Sequence, residues 1–409
     1  MTHTAFRTAD PSATATSPDV LYLTTDAMTA QRFLIDCGQV DFLQRAGLSI
    51  EIATGGSDEA LQRLCREASC PVHPVRLTRP IAPKDDSRAF RELVSLIRRR
   101  RPKIVNAGTP KAAMVGLAAA RLTGVRDRVY LLHGLRLETA TGLQRAILKS
   151  AEWVAHRSAT QTLAVSPSLR DRYCKLGLAR PDRISVLGDG TCSGVDIEKF
   201  ARLAAGGDRV RRRLGIPASA RVVGFVGRFV RDKGIRELVE SFTGLDTPDA
   251  WLLLVGDYEQ SDPVDRQTRA VIESHPHIVT TGFVPEPGDY YGAMDLLALP
   301  SYREGFPTVP LEAAAAGLPC VGFAATGIVD AIVPGVTGLV VPVGDVRNLT
   351  EAVRTLLRDD VRRLRMGRAA HDRAAASFSN ERVFTLWLDL YRERLGLRSE
   401  PVRRRDQAA

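Results

Sequence analysis

Aromatic residues make up only 6% of this 409-residue chain. None of its basic stretches is interleaved with them, which argues against a nucleic-acid surface built on base stacking. Six cysteines (Cys37, Cys65, Cys70, Cys174, Cys192, Cys320) stand apart, with no CxxC or Cys/His ligand spacing. A disulfide scaffold or structural zinc site is therefore not expected, whereas reduced thiols in a cytoplasmic protein are. Long apolar runs are lacking too. The most apolar stretch, 311–328, is broken by Glu312, Gly317, Pro319 and Gly322, which suits a buried helix-turn-strand. Residues 1–19 have neither the apolar core nor the basic start of a signal peptide and read as a disordered leader. A Walker loop and a GxGxxG after a strand are missing, so a P-loop or nicotinamide enzyme is disfavoured, and the lack of any Asp-x-Asp argues against metal dependence.

What is present is ordinary globular material, 44% apolar and 25% charged, long enough for two domains. The formal net charge of +10 favours an anionic partner. Phosphorylated small molecules, nucleic acid and an acidic membrane all satisfy it.

Short β-branched runs alternate with amphipathic segments of ten to fifteen residues, the pattern of parallel α/β architecture. Strands are expected at 20–24, 49–53, 104–106, 129–132, 162–165 and 184–187, then at 222–226, 251–255, 278–281, 296–300, 320–323 and 338–341. Helices are expected at 39–46, 88–99, 111–122, 143–157, 234–242, 310–316, 346–358 and 361–377. These make two doubly wound units, 20–205 and 206–379, with Gly206 and Gly207 as a flexible joint. Asp208 is placed to N-cap a short helix, 209–214. A last helix, 380–396, keeps Val383, Leu386, Trp387, Leu390 and Tyr391 on one face, and 397–409 form a basic tail.

Two segments carry chemistry. In Gly224-Phe225-Val226-Gly227-Arg228-Phe229-Val230-Arg231-Asp232-Lys233-Gly234, a buried strand ends at Gly227 and a turn presents Arg228 and Lys233 before a helix. Backbone N–H groups and two cations in one loop suit phosphate, although basic loops are often merely solvated. In Glu304-Gly305-Phe306-Pro307-Thr308-Val309-Pro310-Leu311-Glu312, a loop carboxylate precedes a helical one, with Pro310 in the first turn and Gly317 past the end. Glu304 suits hydroxyl groups. Glu312 is either a ligand contact or an ordinary exposed helix residue.

Together Gly227-Arg228, Asp232-Lys233-Gly234, Gly256-Asp257, Gly282-Phe283-Val284 and Glu304-x7-Glu312 resemble the family 4 glycosyltransferases of the GT-B fold. The segments Asn106-Ala107-Gly108-Thr109-Pro110-Lys111, His133-Gly134-Leu135-Arg136-Leu137-Glu138-Thr139 and Val165-Ser166-Pro167-Ser168-Leu169 look like its bacterial capsular and exopolysaccharide branch. The resemblance spans about 20–395. It implies two Rossmann-like domains facing a deep cleft, an N-terminal acceptor domain and a C-terminal nucleotide-sugar domain. The last helix would cross back to the first domain.

The resemblance also implies roles. Arg228 and Lys233 would bind the diphosphate of a sugar nucleotide, with UDP expected, and stabilise it as leaving group. Glu304 would hold the sugar hydroxyls, and the backbone of Gly305, Phe306, Pro307 and Thr308, with Gly227, would line the donor. Glu312 would bind the ribose, and Phe283 and Val284 would lie against the base. His133, otherwise a structural histidine, would reach the sugar from the opposite wall. The family retains anomeric configuration. No glutamate matches a covalent nucleophile, so the donor phosphate oxygen would take the acceptor proton. No cofactor and no metal are expected, since protein cations neutralise the leaving group.

On the acceptor side the candidates are Asp26, Asn106, Arg136 and Glu138. Asp26 stands in Thr24-Thr25-Asp26-Ala27-Met28, where many relatives have a Gly-Gly loop. The acceptor would be a lipid-linked glycan or, alternatively, a soluble secondary metabolite or small sugar; nucleic acid is not expected. A lipid-linked acceptor calls for peripheral attachment to an anionic membrane at its cytoplasmic face. Arg98 to Arg101 and the helix at 143–157, with Arg145, Lys149, His156 and Arg157 beside Ile147, Leu148 and Trp153, are the candidate surface. Equally, those apolar residues could pack on the sheet.

Overall fold

The computed structural model describes residues 17–78, 82–259 and 262–397. Most of the leader and nearly all of the basic tail lie outside these residues. Among the described residues, thirteen strands form two parallel sheets. The first holds β1 (Val20–Thr24), β2 (Ile50–Thr54), β3 (Val72–Pro74), β4 (Ile104–Gly108), β5 (Asp127–Leu132), β6 (Gln161–Ala164) and β7 (Ile184–Val186), in the order β3-β2-β1-β4-β5-β6-β7. The second holds β8 (Arg221–Val226), β9 (Ala250–Val255), β10 (Ile278–Thr280), β11 (Leu296–Leu299), β12 (Cys320–Phe323) and β13 (Gly338–Val341), in the order β10-β9-β8-β11-β12-β13.

The strand residues of β1, β2, β4, β11 and β12 are buried throughout. Helices covering both faces of a parallel sheet require this, and it explains the near-continuous apolar runs. In each sheet the strand order reverses once, between β1 and β4 in the first and between β8 and β11 in the second. Loops leaving the carboxyl ends of those strands diverge there, and open α/β sheets bind ligands at such points.

All twelve expected strands are present, while β3 was not foreseen. It is three residues long and contains His73 and Pro74, so it carries no β-branched run. The short helix before β8 is Gly207–Leu214, with Gly206 at its N-cap and no side-chain cap. Asp208 therefore sits within the first turn and is not the cap. Gly207 is no flexible joint: it is buried, and a Cβ there would overlap the backbone carbonyl of Gly292. The glycine is needed for close packing.

The chain forms two compact units. One comprises the described residues up to Leu131, with Ser150–Thr162 and the residues from Phe384 onward; the other comprises Leu132–Lys149 and Leu163–Val383. These units interleave along the chain, whereas the sheets follow one another in sequence. In the first unit the helix Asn380–Arg394, from Phe384 onward, contributes Tyr391, fully buried, whose hydroxyl donates to the Tyr22 hydroxyl at 2.9 Å and accepts from Asn106 Nδ2 at 2.6 Å. The core of the second unit is centred on Phe225, Leu252 to Leu254, Leu296 to Leu299 and Phe323.

Candidate functional site

The second unit brings the two chemistry-bearing loops together because β8 and β11 are hydrogen-bonded neighbours, with Val223 opposite Leu296. After β8 the chain makes a turn, Arg231–Lys233, closed by Gly234 in the left-handed region at φ 68°. After β11 it runs through Ser301 to Thr308 into the helix Val309–Ala315. Both loops leave the carboxyl edge at the strand-order reversal. There Lys233 Nζ donates to Glu304 Oε1, in a pair whose side chains are 23% and 14% exposed. The Glu304 backbone N–H donates to the Thr326 carbonyl at 3.1 Å, which fixes the carboxylate's origin.

Arg228 is solvent-exposed and paired with Glu259. Gly227 precedes it at the end of β8. Phe283 is exposed, and Val284 packs partly against the core. Gly305 is wedged between loops: its carbonyl accepts from the Ser166 hydroxyl at 2.7 Å, and any Cβ would overlap the His133 carbonyl oxygen. Phe306 is buried with its ring 5.1 Å from Phe378, so its side chain is a packing element. Pro307 is buried beside it, and Thr308 is the residue before the helix. Glu312 is not an ordinary exposed helix residue. It is buried and accepts from the Tyr291 hydroxyl at 2.6 Å.

His133 follows β5 and is half-buried, and loss of hydration lowers its imidazole to about 4. The ring is neutral at physiological pH and can donate from one nitrogen. Arg136 is exposed at the start of the turn Arg136–Glu138. Glu138 Oε1 accepts from Arg172 Nε at 3.1 Å and from Thr326 Oγ1 at 2.9 Å. These bonds tie the segment after His133 to the loop before the helix Ile328–Ala331.

The other acceptor candidates lie in the first unit and are engaged there. Asp26 caps the helix Ala27–Ala30, accepting from the Thr29 backbone and hydroxyl, both at 3.0 Å. Asn106 is buried against Tyr391, so it anchors the last helix. At the reversal between β1 and β4 stand Thr25 and Thr109, whose hydroxyls are 2.5 Å apart. Thr109 holds φ 73°, in the left-handed region that disfavours branched residues. Neither threonine was singled out from the sequence, and only the strand order points to them. Arg303, next to Glu304, carries no sequence signal, and Asp232, next to Lys233, stands in the Asp232-Lys233-Gly234 motif without a role of its own. No group of three or more His, Cys, Asp or Glu side chains among the described residues could hold a metal ion.

Two family models cover most of this architecture. "Glycosyl transferases group 1" matches residues 208–373, and "Glycosyl transferase 4-like domain" matches 39–190. The capsular polysaccharide biosynthesis glycosyltransferase CapM of Staphylococcus aureus is 31% identical over 85% of this chain and 90% of its own length. An Escherichia coli UDP-Gal:α-D-GlcNAc-diphosphoundecaprenol α-1,3-galactosyltransferase is 28% identical over 60% of this chain and 64% of its own. Among solved structures, Anabaena HepE in complex with UDP superposes with a TM-score of 0.76 at 21% identity, covering 92% of this chain and all of that one. The chain belongs to the glycosyltransferases of GT-B fold.

Proposed function

We propose that the protein is a retaining, metal-independent glycosyltransferase. It takes a hexose or N-acetylhexosamine from a UDP-sugar and transfers it to a hydroxyl of a lipid-linked glycan in surface polysaccharide assembly. The observation that carries the reading is the Lys233–Glu304 pair at the reversal of the second sheet, a cation for phosphate beside an acceptor for hydroxyl groups. A ligand with both phosphate and polyol parts suits that juxtaposition. The CapM relative is named for capsular polysaccharide biosynthesis, and the E. coli relative for a UDP-sugar and a polyprenol-linked acceptor.

In this reading Arg228 and Lys233 hold the diphosphate and stabilise the charge that grows on it as the glycosidic bond breaks. Glu304 orients the sugar through its hydroxyls, and Glu312, held by Tyr291, meets the ribose. Phe283 and Val284 face the base. The neutral His133 donates to a sugar hydroxyl. With no glutamate assigned as a nucleophile, the acceptor attacks on the face the leaving group departs from, and a phosphate oxygen takes its proton.

The lipid-linked acceptor draws support from the helix Gly142–Ser158. Leu143, Ile147 and Trp153 are 77%, 40% and 51% exposed, so the apolar face is not spent on packing; of the three apolar residues weighed, Leu148 is the one half-buried. Lys149 and Arg157 share that exposed side, with the Arg157 guanidinium 5.4 Å from the Trp153 ring centre. Basic and interfacial aromatic residues on one helix face suit an anionic lipid surface. The Arg98 to Arg101 run contributes less, because Arg100 is tied to Glu51. No helix among the described residues is long and apolar enough to cross a membrane.

A thermal-shift screen of nucleotides and nucleotide sugars tests the donor: UDP at 100 times its Kd adds about 2.7 kcal/mol of stability. Product NMR with the responding donor should show retained anomeric configuration, and activity should persist in excess EDTA. Inversion, or a metal-reversible loss, overturns that part of the mechanism. Liposome co-sedimentation should show binding to anionic lipid only, weakening with salt. No sedimentation at low salt favours a soluble acceptor.

A further inference from the structure

Lys233 and Glu304 form an ion pair, and so do the residues immediately before them, with the signs exchanged. Arg303 Nη2 donates to Asp232 Oδ2 at 2.5 Å. The same guanidinium donates from Nε to Thr139 Oγ1 at 3.0 Å, in the segment that follows His133. The backbone closes the ladder: Tyr302 N–H donates to the Asp232 carbonyl at 2.9 Å. Two neighbouring rungs thus cross from the β8 loop to the β11 loop, and the second ties in a third segment.

A carboxylate one residue from a phosphate-binding lysine is a liability. Left unpaired, Asp232 would compete with the phosphate for Lys233 and repel the incoming anion. Arg303 is 26% exposed and Asp232 31%, so solvent screens the pair only in part. We propose that Arg303 and Asp232 are a positioning pair for glycosyl transfer: Arg303 cancels the Asp232 charge beside the diphosphate, and the pair together sets the distance between Lys233 and Glu304. This rests on the donor-site reading above. Neither residue touches the sugar or the reacting atoms in this assignment; they act through Lys233 and Glu304.

The two halves of the pair have opposite electrostatic effects, and this separates positioning from simple structural support. Arg303→Gln exposes the negative charge, so UDP affinity measured by calorimetry should fall about five- to tenfold at low salt. Asp232→Asn exposes the positive charge, so UDP should bind as tightly as in wild type or a few-fold tighter. Both variants lose geometry, so kcat with the responding UDP-sugar should fall about tenfold or more in each. The double variant should regain near-wild-type UDP affinity but not kcat, and Arg303→Lys should recover part of both. The affinity differences should shrink in 1 M salt. UDP affinities that drop together in both single variants, or a kcat unchanged in both, overturn the proposal.

A second readout needs no nucleotide. The chain has only seven lysines, so reductive methylation with 13C-formaldehyde gives a short spectrum in which Lys233→Arg identifies the Lys233 signal. That signal should shift in Arg303→Gln at unchanged Tm; an unmoved signal overturns the positioning role. If wild type binds no UDP while the Lys233 signal still shifts, the donor reading fails and the pair stands.

Discussion

The Tyr291 hydroxyl donates to Glu312 Oε2 at 2.6 Å, and both side chains are buried, Tyr291 completely. A carboxylate inside an apolar helix such as Val309–Ala315 is costly unless its oxygens are engaged. One bond to Tyr291 orients the group and makes it a fixed acceptor rather than a mobile surface charge. The division of labour between the two glutamates follows from this. Glu304 is held by a loop lysine at the sheet edge, and Glu312 by the core.

Glu304→Gln should therefore damage use of an intact UDP-sugar while leaving UDP binding nearly unchanged. Glu312→Gln should weaken both, since ribose is common to them. Tyr291→Phe should imitate the second variant and cost about 1–3 kcal/mol in denaturant unfolding, because the buried carboxylate loses one of its hydrogen bonds. Calorimetry with UDP and with the intact donor decides it, and identical behaviour of the two glutamine variants would remove the distinction.

Lys233→Ala should lower kcat about a hundredfold or more with the fold intact, the usual effect of losing one charge-assisted donor to a developing anion. It also leaves Glu304 without its partner, so UDP affinity should fall as well. Arg228→Ala should act in the same direction. Its competing partner is the half-buried Glu259, so Glu259→Gln should leave Arg228 freer and tighten UDP binding a few-fold. Steady-state rates and UDP affinities in the three variants check this, and near-wild-type turnover in both cation variants contradicts the phosphate assignment.

His133 sets a pH signature. Its native-state value is lowered from 6.5 to about 4 by loss of hydration, so the unfolded chain binds a proton that the native site refuses. The contribution is fully present above about pH 6.5 and is lost as pH falls through about 4. It amounts to up to about 3 kcal/mol. Denaturant unfolding at pH 7.5 and pH 4.0 should show wild type losing about 2–3 kcal/mol more than His133→Asn. An equal loss in both proteins would mean that His133 titrates normally.

Gly305→Ala should destabilise by about 3 kcal/mol or more, since the added methyl would overlap the His133 carbonyl in a buried position. Activity should collapse further than stability, because the same shift moves Glu304 and the segment after His133 apart. Gly282→Ala is a useful comparison, as its Cβ would meet nothing and only the φ of 70° is strained. Paired Tm and kcat measurements separate the two effects; equal behaviour of the two variants would contradict the packing argument.

Much of the fold could be read from the chain because buried parallel strands must be apolar throughout, and runs such as Val222 to Val226 or Leu296 to Leu299 announce themselves. The strand β3 did not, since Val72-His73-Pro74 derives its conformation from pairing with β2 and not from its own residues. Lys233 and Glu304 were legible through their motifs, and the adjacency of β8 and β11 explains why they meet. Asn106, whose motif implies an acceptor-side role, donates its amide Nδ2 to the Tyr391 hydroxyl 285 positions away, a contact that no local pattern announces. Asp208 suits a cap by its local chemistry, yet the helix starts at Gly207, two residues earlier than expected, with Gly206 at the N-cap and Gly207 packed against the Gly292 backbone. Arg303 was passed over because a lone arginine before a motif glutamate has no signature until its partner, Asp232, is known.

The bond between Tyr22 and Tyr391 spans 369 positions, and it bears on how the protein is made. On the ribosome β1 emerges early, but the helix that supplies Tyr391 is translated only after the entire second sheet. The earlier unit must wait, with the faces of Tyr22 and Asn106 that the helix covers unshielded, while its later neighbour can already mature. Truncation before residue 384 should therefore harm the amino-terminal unit first, and the nascent first sheet is the segment on which a chaperone would act.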